Sequence, residues 1–526
     1  MADYRDNYYG SILDPLHGDI KLSEIEKWII AEPLFYRLRR IKQNTFLYYV
    51  FPSANHTRFE HSIGVMHTAG KIFDSCKENY ATGEKKRTKY AVSQKSSFFD
   101  LNNLKEKEEI YYQELRIAAL LHDIGHGPMS HLFDDFSIDK DSFLNIVASE
   151  ECLLNYEKGF DKLVTDHKKV EHESISCAFV FYLIDKLKKA CYADPYKFSI
   201  SAATIINAIS AERIVKIIEP TFLELKDLLD NDGNSYTHFF SRIVSAFPID
   251  ADRMDYFLRD SYFSGVTYGI YDTNRIFSSF QAMKKGADVH LSFRQSGLDS
   301  MLRFIQCRTH LFNQVYFHKT NRAANTMLTY STSTFKDDNK KLLNIKSLDK
   351  LITFYLENSD EKFVSETVKS EMCINDYEKS VLDDLIRRKL FKRVYENKIV
   401  LRGKQKELLP KIKDIQKQIN SKLKSLIDEK IYAVADQYAN ETFKDFDKKP
   451  IIIATKNSSS IGYSSSEDWK SAGKEFELSD MTVSMVRIYI ARTFHSPDEY
   501  TRIKKIVLEK VSEERLLLEK LSEEQT

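Results

Sequence analysis

The chain has 526 residues, with 78 lysines and arginines against 77 aspartates and glutamates, for a formal charge of +1. That balance gives no overall pull toward nucleic acid or a membrane surface, although local patches stay open. Six scattered cysteines without paired spacing argue against a disulfide framework or zinc ribbon; with no basic and apolar leader and no run of about eighteen uncharged apolar residues, the expected location is the cytoplasm.

Glycine and proline are few and most apolar residues recur at helical spacing, so a mainly α protein is predicted. "EPLFYRLRRIKQ" places Pro33 near a first helical turn and basic residues toward the far end, as the macrodipole prefers. "ANHTRFEHSIGVMHTAG" (54–70) predicts an amphipathic helix opened by His61, with Arg58 three positions earlier. A histidine at a helix start needs no special role, and His67 is taken that way. The stretch 81–109, from "ATGEKKRTKY" to "NLKEKEE", is polar and aperiodic and predicts an insertion loop.

Next comes "LRIAALLHDIGHGPMSH", an apolar helix that stops at Gly125, Gly127 and Pro128. His122 and Asp123 stand side by side, His126 follows one turn on, and His131 lies beyond the breaker. Polar groups beside an apolar segment need partners. A structural polar cluster and a divalent metal would both serve. "FPIDADRMDYFLRDSYFSGV" (247–266) is more telling. At ~100° per residue Asp252, Tyr256 and Asp260 fall within about 80° of one another, with Met254, Phe257 and Leu258 opposite. Such a face suits something carrying positive charge or hydroxyls. Joined with His61, His122 and Asp123, Asp252 completes two imidazoles and two carboxylates, a set for Mn, Fe, Zn or, less comfortably, Mg.

Farther on, "LLPKIKDIQKQINSKLKSL" sets Ile412, Ile415, Ile419 and Leu423 at helical spacing beneath lysines. Arg402 to Lys424 holds eight basic and two acidic residues, a net of +6, which is expected to be a solvated face and is open to phosphates or a partner. A serine-rich loop (455–473) and a charged amphipathic helix from Thr501 complete the chain.

The order His61, then His122 and Asp123, then Asp252 resembles the HD-domain superfamily of metal-dependent phosphohydrolases. Longer stretches narrow the resemblance. "YYVFPSANHTRFEHSIGV", "LLHDIGHGPMSH", "IDADRMDYFLRD" and "VYFHKTNRAANTML" are similar to successive blocks of the deoxynucleoside triphosphate triphosphohydrolases, in their sterile-alpha-motif and HD-domain branch and its bacterial relatives. Weaker similarity continues through "LIRRKLFKRVYENKIV" and "MVRIYIARTFHSPDEYTRIKKI", and no separate sterile-alpha-motif domain is expected ahead of "DPLHGDI".

The resemblance implies a mainly α fold, with an HD-domain helical core over 1–335 and a smaller α+β lobe over 336–526 for oligomerisation and regulation. It implies that His61, His122, Asp123 and Asp252 hold a divalent metal (Mn, Mg, Fe or Zn). His126, His131 and His172, the last in "VEHES", become the catalytic histidines, with Asp134 as supporting acid and His131 as the candidate proton donor to the departing 5′ oxygen. Arg58, Arg253, Arg308 and Lys319 would meet phosphate oxygens. Gln43, Tyr256 and Asp260 would hold the sugar 3′-hydroxyl, and Tyr316 would pack on the 2′ carbon and crowd a ribose. The reaction implied is hydrolysis of a dNTP to deoxynucleoside and inorganic triphosphate. A nucleotide-regulated homo-oligomer, dimer or tetramer, with no membrane partner, goes with it.

Departures stand beside the match. GTP-requiring relatives read guanine with an acid and a glutamine where this chain has Ala31 and Tyr36, although Arg39 remains. Phe317 and Phe312 replace a glutamine and a histidine near the base, so neither base preference nor guanine activation transfers. Lowered dNTP pools, restricting phage or regulating replication, follow by analogy alone. The rival readings are an HD phosphodiesterase or nuclease acting on cyclic dinucleotides or nucleic-acid ends, and a nucleotide-binding regulatory module without turnover.

Overall fold

A short hairpin opens the described chain, β1 (Gly10–Asp14) pairing antiparallel with β2 (Gly18–Leu22). The computed structural model describes residues 9–89, 98–167, 169–246, 248–333, 345–442, 452–454, 463–464, 481–491 and 496–523. As expected, the fold is mainly α, with small sheets.

The helices that carry the site are α1 (Arg58–Lys89), α2 (Glu108–Leu121), α3 (His172–Ala193) and α4 (Ala251–Ser264). In α2 every residue from Tyr111 to Leu121 is buried, as an apolar helix surrounded by others must be. Its two internal charges are matched: Glu26 accepts from Arg116 at 2.7 and 2.8 Å, and Arg213 donates to Glu114. Both α2 and α4 pack on α1. The approach of α4 depends on Gly64, because a Cβ there would run into the Asp255 carboxylate and the Arg259 guanidinium. Asp250 caps the start of α4 by accepting from the Arg253 amide at 2.7 Å, and Gly265 ends it at φ 69°.

The insertion expected over 81–109 is shorter than its polarity suggested. Helix α1 continues to Lys89, a tight turn occupies Leu101–Lys107, and α2 begins at Glu108. Residues 81–85 are exposed or half-buried along a long helix, which a polarity argument cannot distinguish from a loop. The remainder, 90–97, lies outside the described residues.

Strands β3 (Phe280–Lys285) and β4 (Asp288–Arg294) form a second hairpin. Helices α5 (Lys319–Ser331) and α6 (Leu348–Glu357) follow. The expected break at residue 335 is displaced. Leu348, Leu351, Tyr355, Phe363, Val368, Leu382, Leu385 and Phe391 all belong to the main apolar core, so these helices are part of the body that holds the site. A separate core begins at β5 (Lys392–Arg402) and is covered by α7 (Leu409–Lys424). There β6 (Ala433–Glu441) and β9 (Met481–Ile490) complete a sheet ordered β5–β9–β6, while β7 (Ile452–Ala454) crosses back to pair parallel with β4, flanked by β8 (Tyr463–Ser464). Ile412, Ile415, Ile419 and Leu423 are the buried face of α7, as their spacing predicted, at roughly 1.5–3 kcal/mol for each side chain removed from water. Helices α8 (Pro497–Lys510) and α9 (Ser512–Glu523) close this lobe. Of the serine-rich stretch 455–473, only β8 lies within the described residues. Among the described residues no helix is long and apolar enough to cross a membrane.

Candidate active site

Four side chains separated by some 190 positions meet where α1, α2 and α4 converge. Asp252 Oδ1 lies 3.2 Å from His61 Nε2 and 3.8 Å from His122 Nε2; Asp123 lies 3.8 Å from the first and 3.4 Å from the second. The other ring nitrogens are spoken for. His61 Nδ1 donates to Asp255 at 2.8 Å and His122 Nδ1 to the Ala119 carbonyl at 2.8 Å. Both Nε2 atoms therefore face the carboxylates, and both are buried without a hydrogen-bond partner. Orphaned buried nitrogens facing two carboxylates are costly as they stand, and a divalent cation resolves the cost by accepting both lone pairs. The ligand atoms of His61, His122 and Asp252 all lie within 4.8 Å of one another, so the residues present fit such an ion.

The electrostatics agree. Burial opposes a charged His61, yet the pull of Asp252 and Asp255 outweighs it and raises its pKa to about 10. His122 is raised too, burial being overcome by Asp123 and Asp252. Burial likewise opposes the Asp123 charge, but His122, Arg58 and His126 hold its carboxyl well below the usual range. Protons here do what a cation would do better.

Asp255 was missed in the sequence. Its carboxylate accepts from His61, from His17 at 2.7 Å and twice from Arg259, at 2.8 and 2.9 Å, and Arg259 NH1 reaches Asp14 at 2.9 Å. This buried chain anchors His61 to the β1–β2 hairpin and orients its ring, which is how a carboxylate behind a metal-binding histidine acts. The available signal was spacing: Arg259 follows Asp255 by one helical turn on a helix already suspected.

The other expected histidines form a row beside the quartet. His126 and His172 stack with centroids 3.6 Å apart and planes at 17°, and His131 stands edge-on at 4.7 and 5.0 Å. Asp134 accepts from His172 Nδ1 at 3.2 Å and lies 3.7 Å from His131. Although nitrogens of the three rings lie within 4.8 Å of one another, parallel stacked rings cannot aim two in-plane lone pairs at one ion. The row is better suited to oxyanions. Burial, Arg58 and His172 keep the His126 pKa well below normal, whereas Asp134 and Glu173 raise His172 against its burial. Two imidazoles of opposite shift thus sit side by side, His172 the more basic and His126 the less, and His131, its side chain 71% exposed, is open to the cleft.

The loop carrying His131 leaves α2 in an uncommon conformation: Met129 and Ser130 have φ of 64° and 53°. Each such residue costs on the order of 1–3 kcal/mol and must be held by its surroundings. Gly125 permits the close passage, since a Cβ there would meet the His172 carbonyl at the start of α3.

His122, Asp123, Asp252, His126, His131 and His172 line a cleft of about 780 Å³. Gln43, Arg58, Arg253, Tyr256, Asp260, Tyr316 and Phe312 line its other walls. Asp260 accepts from His56 at 2.6 Å and from the Tyr316 hydroxyl, so the expected sugar-reading group is already oriented by two donors. Arg58 bridges the quartet and the strained loop, bonding Asp123 and Ser130 Oγ (2.9 Å). Arg253 is paired with Asp250 at the cleft wall.

Two expected phosphate contacts do not join them. Arg308 turns to the C-terminal sheet, donating to Asn440 at 3.1 Å and to the Glu441 carbonyl at 2.7 Å. Lys319 lines a different cleft of about 360 Å³ with Arg388, Lys392 and Arg393. Both stand near the seam between the two cores, and which way such a side chain turns is decided by the sheet, which spacing does not reveal. Phe317 also faces away, its ring 4.0 Å from Tyr438. Ala31, Tyr36 and Arg39 line a third cleft beside the hairpin, where the Arg39 guanidinium lies 3.7 Å over Phe59.

Residues 58–190 match the HD domain, so the chain carries one. It is similar to an uncharacterized protein of Methanocaldococcus jannaschii, 29% identical over 64% of this chain and 52% of that one. It is also similar to the deoxynucleoside triphosphate triphosphohydrolase SAMHD1 of Homo sapiens, 27% identical over 80% of this chain and 60% of that one. The chain thus spans about half to three fifths of the length of these relatives. A crystal structure of a hypothetical protein from Aquifex aeolicus shares the fold, with a TM-score of 0.57, 22% identity and coverage of 95% of this chain and 99% of that one.

Proposed function

We propose that this HD-domain protein hydrolyses deoxynucleoside triphosphates to a deoxynucleoside and inorganic triphosphate. One observation carries the reading: two buried, unpartnered imidazole nitrogens facing two carboxylates at one end of a cleft whose rim holds Asp260 already bonded by Tyr316. The similarity to a triphosphohydrolase of that class supports the choice of substrate.

His61, His122, Asp123 and Asp252 would hold a divalent cation, whose chemistry when bound is to offset charge building on the α-phosphate. Arg58, at the junction of the quartet and the histidine row, presents its guanidinium to phosphate oxygens. Neutral His126 accepts a hydrogen bond or proton from water entering beside Asp123, and His131, its side chain exposed in the cleft, returns a proton to the leaving 5′ oxygen. Tyr256 and Asp260 orient the 3′-hydroxyl, and the Tyr316 ring, fixed by its bond to Asp260, crowds the 2′ position. The cation-lined cleft of Lys319, Arg388, Lys392 and Arg393 suits the phosphates of a regulatory nucleotide, and assembly into a homo-oligomer belongs to the same reading.

Incubation with each dNTP and Mn or Mg, followed by ion-exchange chromatography, is expected to release inorganic triphosphate. Pyrophosphate or a monophosphate would favour a phosphodiesterase or nuclease, and retained ligand without product would favour a binding module. Assays on dNTP pairs test the regulatory site, where stimulation of one by another is expected.

A further inference from the structure

The strained loop before His131 is held from an unexpected direction. Asp360, 6% exposed, lies just after α6 in the segment whose sequence suggested a separate lobe. Its carboxylate reaches into the site's support. Oδ1 accepts from the Met129 amide at 2.6 Å and Oδ2 from the Lys42 amide at 2.8 Å. The same two strands of chain are tied again by Ser130 Oγ, which donates to the Lys42 carbonyl at 3.0 Å while accepting from Arg58. Neighbouring rings make the contact firm: Phe363 packs edge-on to Phe133 at 5.5 Å, and Tyr355, 5.8 Å from Phe133, lies beneath Arg37, whose guanidinium donates to the His126 carbonyl at 2.8 Å. Asp360 does not line the cleft and touches none of the quartet.

We propose that Asp360 is a positioning residue: it clamps Met129 in the left-handed conformation and so sets where His131 stands over the cleft, coupling the helices after residue 345 to the reacting end of the site. Only a group that accepts twice can hold two backbone amides pointing at one place, and no other acceptor is recorded for either amide among the described residues. A burial-raised pKa of about 6 fits a carboxylate in so enclosed a place. The inference rests on the triphosphohydrolase reading for its kinetic consequence, not for its structural one.

The test is Asp360→Asn, which turns an amide NH2 toward one of the two backbone amides. Hydrogen–deuterium exchange followed by mass spectrometry should show residues 124–133 exchanging at least about tenfold faster while α2 is unchanged. With the preferred dNTP, kcat should fall about tenfold or more, with KM and bound-metal stoichiometry within about twofold of the parent. The double variant Asp360→Asn/Met129→Gly should recover at least half of the lost kcat, because glycine takes the left-handed conformation without strain. A role confined to stability would lower Tm and give neither the kcat loss well below Tm nor the recovery. Unchanged exchange, unchanged kcat or absent recovery each overturns the proposal. If Asp360→Asn does not fold, Phe363→Leu loosens the same contact more gently, and unchanged exchange over 124–133 in that variant overturns it equally. A parent protein that makes no triphosphate refutes the functional reading instead, and the exchange comparison then decides the clamp alone.

Discussion

The two ends of the cleft are built differently. At the quartet end, His61, His122 and Asp252 stand on or at the end of long helices, and the back nitrogen of each histidine is tied to a buried acceptor. At the other end, His131 sits on a strained turn and Tyr316 on a five-residue π-turn between two helices. On the function proposed above, the quartet would have to be preorganised to within a fraction of an ångström to hold an ion, whereas His131 and Tyr316 would meet the substrate itself. Helices carry the quartet, and turns carry His131 and Tyr316.

The largest effect is expected at the quartet end. His122→Ala should lower kcat by on the order of 10³-fold or more, with metal content by elemental analysis falling from about one equivalent toward zero. Retained metal and retained turnover would erase the distinction between the ends. At the other end, His131→Ala should cost about 10²–10³-fold in kcat with metal content unchanged, since proton donation alone is removed. Asp255→Asn sharpens the contrast from behind. It should weaken metal affinity by about 10–100-fold in a titration, and affinity equal to the parent would show that His61 needs no support. Tyr316→Ala should relax discrimination between dNTP and rNTP by roughly tenfold in kcat/KM, and an unchanged ratio would show the assigned sugar contact to be wrong.

The smallest effect is on stability. Burial raises Asp360 from 3.8 to about 6, so between those values the native chain keeps a proton that the unfolded chain has released. Stability from this group is present in full below about pH 4 and declines as pH rises to about 6. Relative to Asp360→Asn, the parent should therefore lose up to about 3 kcal/mol over that window, at 1.36 kcal/mol per pKa unit. Chemical denaturation at pH 4, 5, 6 and 7 measures it, and a pH-independent difference would contradict the enclosed setting of the carboxylate.

Much of the quartet end was legible in the chain. The acid and phenol face of α4, the His122 and Asp123 pair at the end of an apolar helix, and the stripe of Ile412, Ile415, Ile419 and Leu423 all follow from the 3.6-residue period, which is a property of the backbone and not of its surroundings. What periodicity cannot convey is partnership across distance. Lys319 and Arg308 look like phosphate ligands until the C-terminal sheet draws them to its own seam, and Asp255 looks like one more helical acid until Arg259, His17 and His61 are seen around it.

The same division holds for the whole protein. Local order, the helical class and the residue types gathered in the quartet were written into spacing and residue chemistry, because a helix places its neighbours by geometry that every sequence obeys. The length of α1, the inclusion of the helices between 345 and Phe391 in the main core and the grip of Asp360 on a turn 231 residues away were decided by packing alone. Burial depends on which surfaces meet, and that is a property of the folded chain.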